Sequence, residues 1–447
     1  MIVPRNKLLA WFAAIVLPFA LLAAVEPGSW SIAFGCIALF LLAALADAWR
    51  ARSALAGISV HPEPIVRVSR DRPATLKLRL RNEHQAKQIL RFTLDIPPGI
   101  ESPAEDLRVA LPDSEWAACE WPCVARRRGN FPVRTARLQA ASPFGFWDFR
   151  VNQPVQSEIR VYPNLLSERR QLAALFLNRG AFGAHAQRQV GRGREFEKLR
   201  EYMPGDSFDE IHWKATARRS RPVTKVFQIE RTQEVYVIID ASRLSGRSAG
   251  KKPGEEPSPE TALERFVTAA LVLGLAAERQ GDLFGLLTFS DRVHKFIRAK
   301  NGKAHYGVCR DALYTLQPRV VTPDFEELCA FIRLRLRRRS LLFFLTALDD
   351  PVLKDSFVRN IGLLSGQHLV MVNMLQPPGV QPVFSQPDVD CLDDVYQHLG
   401  SHFLWSGLQE LQKVLKYRGV RFSLLENESL STELVSQYVG VKRRQLL

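Results

Sequence analysis

Val235-Tyr236-Val237-Ile238-Ile239-Asp240-Ala241-Ser242 decides the fold of the larger part of this chain. Five consecutive apolar residues with no polar alternation belong to a strand buried on both faces, and such strands sit in sheets covered by helices. The sequence that follows keeps alternating. Thr261 to Gln280 reads as a helix with Leu263, Phe266, Val267, Ala270, Leu271 and Gly274 on one face, and Leu283 to Phe289 reads as a strand. Pro323 to Arg337 reads as a helix entered through Thr322 as N-cap and Pro323 as first helical residue. Leu341 to Leu345, His368 to Leu375 and Val420 to Leu425 read as further strands. Residues 232–447 are therefore expected to form an α/β open sheet with helices on both sides. Ligands of such sheets bind outside the carboxyl ends of the strands. One strand ends at Asp240-Ala241-Ser242 and another runs into Thr346-Ala347-Leu348-Asp349-Asp350. If the two are neighbours, Asp240, Ser242 and Asp349 share a rim of hard oxygen atoms, which suits Mg²⁺ or Mn²⁺. Two structural roles compete for Asp240: capping a following helix, or accepting backbone N–H groups of its own loop.

Upstream, residues 56–163 follow a period of two. Leu76, Leu78 and Leu80 alternate with Lys77, Arg79 and Arg81; Leu90, Phe92, Leu94 and Ile96 repeat the pattern, as do Leu107, Val109 and Leu111. Clusters such as Pro97-Pro98-Gly99 separate the runs, so an antiparallel β-sandwich-like domain is expected. Residues 164–231 form a connector rich in Arg and Gly, too long to lack structure.

Residues 1–55 hold two apolar runs, about 8–25 and 30–46, separated by Glu26-Pro27-Gly28-Ser29. A membrane span needs roughly 17–25 such residues, so the pair is expected to be a transmembrane helical hairpin. A signal peptide is the competing reading, but its apolar core runs only to about 15 residues and no second run follows it. Arg5 and Lys7 precede the first run and Arg50 and Arg52 follow the second, while the connecting turn holds no cation. The positive-inside rule then places both outer ends, and the soluble body, on the cytoplasmic side of the cell inner membrane.

The 447-residue chain carries a net charge of +15, with its densest cationic runs at Arg126-Arg127-Arg128 and Arg337-Arg338-Arg339. On a body held at a membrane, cations near the bilayer meet anionic headgroups. Nucleic acid is the rival partner, yet no binding motif is present and aromatics do not interleave with the charge runs. Cys119 and Cys123 have half of a zinc-site spacing with no matching second pair, so buried free thiols are expected there and at Cys309, Cys329 and Cys391.

The connector carries the densest pattern: Gly191, Gly193, Glu195 and Phe196; then Leu199, Arg200, Tyr202, Gly205 and Asp206; then Ile211, Trp213, Ala217 and Arg218. This G-x-G-x-E-F, L-R-x-Y, P-G-D, I-x-W-x-x-x-A-R order resembles the family called domain of unknown function 58, as does Pro143-Phe144-Gly145-Phe146 before it. The resemblance implies a membrane hairpin, a β-rich region and a von Willebrand factor A-like domain, which is a Rossmann-like open sheet. It also implies a non-enzymatic adaptor working with a MoxR-type AAA+ ATPase. Such domains typically bind a metal through D-x-S-x-S plus a later Thr and Asp. Here Asp240, Ser242 and Asp349 match, Leu244 stands at the second Ser position, and no Thr lies between Lys300 and Tyr306. The resemblance therefore leaves either a weak metal site or a degenerate metal ion-dependent adhesion site. Asp209 stands where many members carry Arg. The loop 245–260 leaves the rim and is either a partner-contacting lid or a surface insertion.

Enzyme motifs are thin. Gly191-x-Gly193 has no preceding buried strand and no third glycine, and there is no G-x-S-x-G elbow. His398 and His402 share a helix face without a third ligand, and His212 beside Trp213 is expected to make a structural hydrogen bond. The function expected is membrane-anchored protein docking. The alternatives are a metal-dependent hydrolase using Asp240 and Asp349, and a basic nucleic-acid-binding protein.

Overall fold

The structure, a computed structural model, describes all residues except 26–27, 29, 53, 84–87, 113–114, 179–189, 204–206, 229–232, 250–259, 381, 383–384, 386–391 and 445–447; over 174–178, 190–198, 226–228, 392–393 and 397 only the backbone is described. Gly205, Asp206, Cys391, most of the loop 245–260 and most of the turn at 26–29 therefore lie outside the described residues. The chain divides into two compact units, Met1–Asn164 and Leu165–Leu447.

The first unit begins with a short strand β1 (Ile2–Pro4), then helices α1 (Asn6–Val25) and α2 (Trp30–Ala51). Both helices are long and apolar enough to cross a membrane. Strands β2 (Ile58–Pro62), β3 (Ile65–Ser69), β4 (Pro73–Asn82), β5 (Gln88–Leu94), β6 (Ile100–Glu101), β7 (Leu107–Leu111), β8 (Trp116–Ala125), β9 (Gly129–Ala141) and β10 (Trp147–Tyr162) follow. They form two sheets, β1-β10-β9-β5-β7 with β3 also on β10, and β2-β4-β8-β6. The period-two pattern places Leu76, Leu78, Leu80, Leu90, Phe92 and Leu94 in the shared core, where Phe92 meets Trp121 edge-on at 5.7 Å. One pairing departs from the all-antiparallel expectation: β3 runs parallel to β10. Cys119 and Cys123 face this core as free thiols.

The second hairpin helix runs five residues beyond its expected end at Ala46. Asp47 and Ala51 on this extra length are buried, and Ala51 belongs to the sandwich core. The helix continues because its last turn packs against protein, which an apolar-run criterion does not register. The residues before α1 are also tied down. Strand β1 pairs antiparallel with β10, and Arg5 forms an ion pair with Asp148 at 3.4 Å. Both outer ends of the hairpin therefore meet the same sandwich.

The second unit contains α3 (Leu166–Asn178), β11 (Val190–Glu201), α4 (Trp213–Arg219), β12 (Val223–Gln228), β13 (Glu234–Asp240), α5 (Ala262–Arg279), β14 (Leu283–Phe289), β15 (Val293–Lys300), α6 (Lys303–Leu313), α7 (Phe325–Arg335), β16 (Leu341–Leu345), α8 (Pro351–Ser365), β17 (Leu369–Leu375), α9 (Leu392–Tyr417), β18 (Arg421–Leu425) and α10 (Leu430–Arg444). Six strands form one sheet in the order β15-β14-β13-β16-β17-β18. Only the edge strand β15 is antiparallel to its neighbour. Counted from β13, the order is 3-2-1-4-5-6, with its switch point between β13 and β16. This mostly parallel sheet with one antiparallel edge is a von Willebrand factor A-like α/β unit.

The two-sided burial read from Val235–Ile239 is literal. Val235, Val237 and Ile239 enter one core with α5 and α10, while Tyr236 and Ile238 enter the opposite core with α7 and α8. Gly285 is required beside Tyr236, since an added Cβ would come within 2.3 Å of the tyrosine ring. The expected helix at 323–337 starts later than predicted. Asp324, not Thr322, is its cap, accepting from Glu326 N at 2.9 Å and Glu327 N at 3.0 Å, so Pro323 lies before the helix.

Candidate functional site

Strands β13 and β16 are parallel neighbours, with Ile239 opposite Leu345, so the loops after them meet at the switch point. Asp240 and Ser242 are fully buried there. Asp240 Oδ1 accepts from Ser242 N at 2.8 Å, and Oδ2 accepts from Thr346 Oγ1 at 2.6 Å. Of the two structural roles open to Asp240, the structure shows the loop-acceptor one. Burial pushes the Asp240 carboxyl above its ordinary range, and the Thr346 and Ser242 hydrogen bonds oppose that push.

Asp349 reaches the same edge, but its Oδ2 holds the guanidinium of Arg247. Asp350 caps α8 through Val352 N at 3.0 Å and pairs with Arg243 at 3.2 Å. Two Arg–Asp pairs thus tie the loop after β13 to the loop after β16. Both guanidinium groups are about half exposed, so each pair is worth only about 0–1 kcal/mol. Their effect is to neutralise the rim.

That neutralisation bears on the expected metal. Among the described residues, no group of three His, Cys, Asp or Glu side chains is placed to hold a metal ion. Ser242 Oγ, Thr288 Oγ1 and Asp349 Oδ1 are buried without a hydrogen-bond partner. They are two hydroxyls and one oxygen of a carboxylate already paired with arginine. Burial also works against the charged form of the remaining acid, Asp240. A rim with so little uncompensated negative charge does not fit Mg²⁺ or Mn²⁺, which are held by carboxylates in near-octahedral geometry. A bound water is the cheaper way to satisfy such orphan oxygens.

Sequence reading missed a second cluster on this side of the sheet. Ser290, directly after β14, donates to Asp291 Oδ1 at 2.6 Å and sits 2.6 Å from His294 Nε2. Asp291 reaches that same ring nitrogen at 3.7 Å. A hydrolytic triad needs the carboxylate on the opposite ring nitrogen and an accessible hydroxyl. Ser290 is fully buried, so the set closes the β14–β15 turn. The pair is four residues apart across a tight hairpin, a spacing that carries no signal in the sequence.

The motif block folds as its own small piece. Gly191, Gly193, Glu195, Phe196, Leu199 and Arg200 lie on β11, which pairs antiparallel with β12. Tyr202 N donates to Pro222 O at 2.9 Å, and Ile211, on an isolated bridge to Thr224, is buried. His212 caps α4 by accepting from Ala215 N at 3.0 Å, the structural role expected of it. Trp213, Ala217 and Arg218 lie on α4, and Asp209 is exposed in a single 3₁₀ turn. Three large apolar side chains of the block face outward: Met203, Phe208 and Trp213 are 58%, 73% and 69% exposed. Tyr202 stacks on Phe208 at 6.0 Å, so the aromatic surface is ordered rather than splayed.

Residues 198–380 match the DUF58 family model, described as a protein of unknown function. The matched segment runs from β11 past β17, and so contains both the exposed apolar side chains and the rim; it is less than half of the 447-residue chain. No curated protein matches the sequence. Among solved structures, the chain is similar to a conserved hypothetical protein BatB from Bacteroides thetaiotaomicron, at 15% identity and a TM-score of 0.31 over 47% of this chain and 99% of that one. It is similar to an aerotolerance-related membrane protein from Bacteroides fragilis, at 12% identity and a TM-score of 0.27 over 46% and 97%. A third is proximal thread matrix protein 1 from the mussel byssus with a zinc-occupied MIDAS motif, at 13% identity and a TM-score of 0.23 over 41% and 45%. With scores this low, the fold assignment rests on strand order and direction alone.

Proposed function

We propose that the chain is a membrane-tethered, non-enzymatic adaptor that docks a protein partner on the cytoplasmic side. In this reading α1 and α2 cross the inner membrane, and the DUF58 segment carries the docking surface. One observation carries it: Met203, Phe208 and Trp213 of the motif block are each more than half exposed, and Phe208 is held in place by stacking on Tyr202. Large apolar side chains left in water are costly, and Trp and other aromatics are where binding energy concentrates. The resemblance of the block supports a MoxR-type AAA+ ATPase as the partner. The rim supports docking over hydrolysis, because its acids are engaged by Arg243, Arg247, Thr346 and a backbone N–H.

An affinity pull-down of the full chain from detergent extract tests this. Recovery of an AAA+ ATPase by wild type, and at least tenfold less by Phe208→Ala/Trp213→Ala, is expected. Recovery of no ATPase in any nucleotide state would overturn the proposal.

A further inference from the structure

The turn between β9 and β10, Pro143-Phe144-Gly145-Phe146, does more than reverse the chain. It lies alongside α2. Phe144 N–H donates to Asp47 Oδ1 at 3.1 Å, and the Trp147 indole N–H donates to the Ala44 carbonyl at 2.9 Å. The Phe146 ring meets Phe40 edge-on with centroids 6.0 Å apart. These contacts run along α2 from Asp47 back to Phe40. At ~1.5 Å per residue that is about 10 Å of helix.

The direction matters. Asp47 is the first charged residue after the apolar run of α2, and Phe40 and Ala44 lie inside that run. The turn therefore extends past the last charged level and along the segment that hydrocarbon would surround. Its tip fits that surrounding. Phe144 is 62% exposed and sits 6.1 Å from Phe146, while Trp49 on α2 is 75% exposed. Cations frame it: a Cβ on Gly145 would lie 3.5 Å from Arg5 Nη1 and 3.9 Å from Lys7 Nζ. Gly145 itself has φ +73°, a left-handed conformation that strains any residue bearing a side chain. Arg5 N donates to Phe146 O at 2.9 Å, which fixes the start of α1 at the same level.

We propose that residues 143–147 form a third membrane-inserted element, an aromatic wedge that seats the sandwich in the headgroup layer of an anionic bilayer. Phenylalanine and tryptophan supply the buried surface at the acyl boundary, and Arg5 and Lys7 meet lipid phosphates above it. The sandwich is then held at the membrane at three points, so its tilt is fixed rather than free. This rests on the reading of α1 and α2 as membrane spans.

Depth-dependent fluorescence quenching of the full chain in phosphatidylcholine–phosphatidylglycerol vesicles tests both layers separately. With Cys36 and Cys391 replaced by Ser, a probe is attached at Phe144→Cys, at Leu17→Cys in mid-α1, or at Thr75→Cys on an exposed face of β4. The probe at 144 is expected to be quenched by nitroxides high on the lipid chain and shielded from aqueous iodide at least fivefold relative to position 75. The probe at 17 should respond only to deep nitroxides. If 144 is quenched by iodide as strongly as 75 while 17 is deep, the wedge is overturned and the spans stand. If 17 is also open to iodide, the membrane reading falls, and the wedge with it.

Discussion

Replacing Thr346 by Val removes one hydroxyl from the switch point and keeps the shape of the side chain. In the wild type that hydroxyl donates to Asp240 Oδ2 at 2.6 Å, with both residues fully buried. A hydrogen bond to a charged group contributes about 1.5–3 kcal/mol, and a buried acceptor left unpaired loses its full desolvation compensation. A loss of about 2 kcal/mol is therefore expected, close to 30-fold in an equilibrium constant at ~1.4 kcal/mol per tenfold. The effect depends on pH. Burial raises the folded-state pKa of Asp240 above its unfolded value, and the Thr346 bond opposes that rise. Between the two pKa values the folded state holds a proton that the unfolded chain releases, so stability falls as pH rises through this window. Thr346→Val widens the window upward. Its cost is thus smallest below the ordinary aspartate range and grows to a plateau above the raised value. Hydrogen exchange of β13 and β16 amides in the detergent-solubilised full chain, corrected for intrinsic rates, reads this as local protection. A drop of up to about 30-fold at pH above the raised Asp240 value, shrinking as pH falls below it, is expected. Protection within twofold of wild type at every pH would refute the claim that Thr346 supports an ionisable Asp240.

Other predictions concern neighbouring parts. Asp240→Asn keeps an acceptor for Ser242 N and removes the titrating group; the pH dependence of β13 protection should vanish while neutral-pH protection is equal to or above wild type. Millimolar Mg²⁺ or Mn²⁺ added to the full chain should release no heat in calorimetry, whereas saturable heat abolished by Asp349→Ala would show that the rim holds a metal after all. Asp324→Ala removes the cap of α7 and should cost about 1 kcal/mol, seen as roughly fivefold lower protection at Glu326–Leu328. Trp147→Phe deletes the indole donor to Ala44 and should speed proteolysis near Ala51 several-fold without changing protection in β13.

Much of the α/β unit is legible in the sequence because its strands are buried on both faces. Leu283–Phe289 and Leu341–Leu345 have the expected limits, since each apolar run stops at a polar residue, Asp282 and Ser290 or Ser340 and Thr346. Strand β15 is not legible: Val293–Lys300 mixes His, Lys and Arg with its apolar residues because it is an edge that packs on one side. The rim was half visible. Asp240, Ser242 and Asp349 announce themselves by following buried runs. Thr346 follows one too, but a hydroxyl there is ambiguous until β13 and β16 are known to be neighbours. Arg243 and Arg247 look like ordinary solvated cations, and only the return of the chain 102 residues later to Asp349 gives Arg247 its role. The same holds for Asp47, whose use as a cap for Phe144 depends on a contact 97 residues away.

The docking claim is tested most directly from Trp213 itself. A photo-reactive benzoylphenylalanine in place of Trp213, in the full chain within native membranes, should crosslink to an AAA+ ATPase on irradiation, and the same group at exposed Thr75 should not. An intact, irradiated chain that yields no ATPase adduct from position 213 or from position 208 would contradict the adaptor reading.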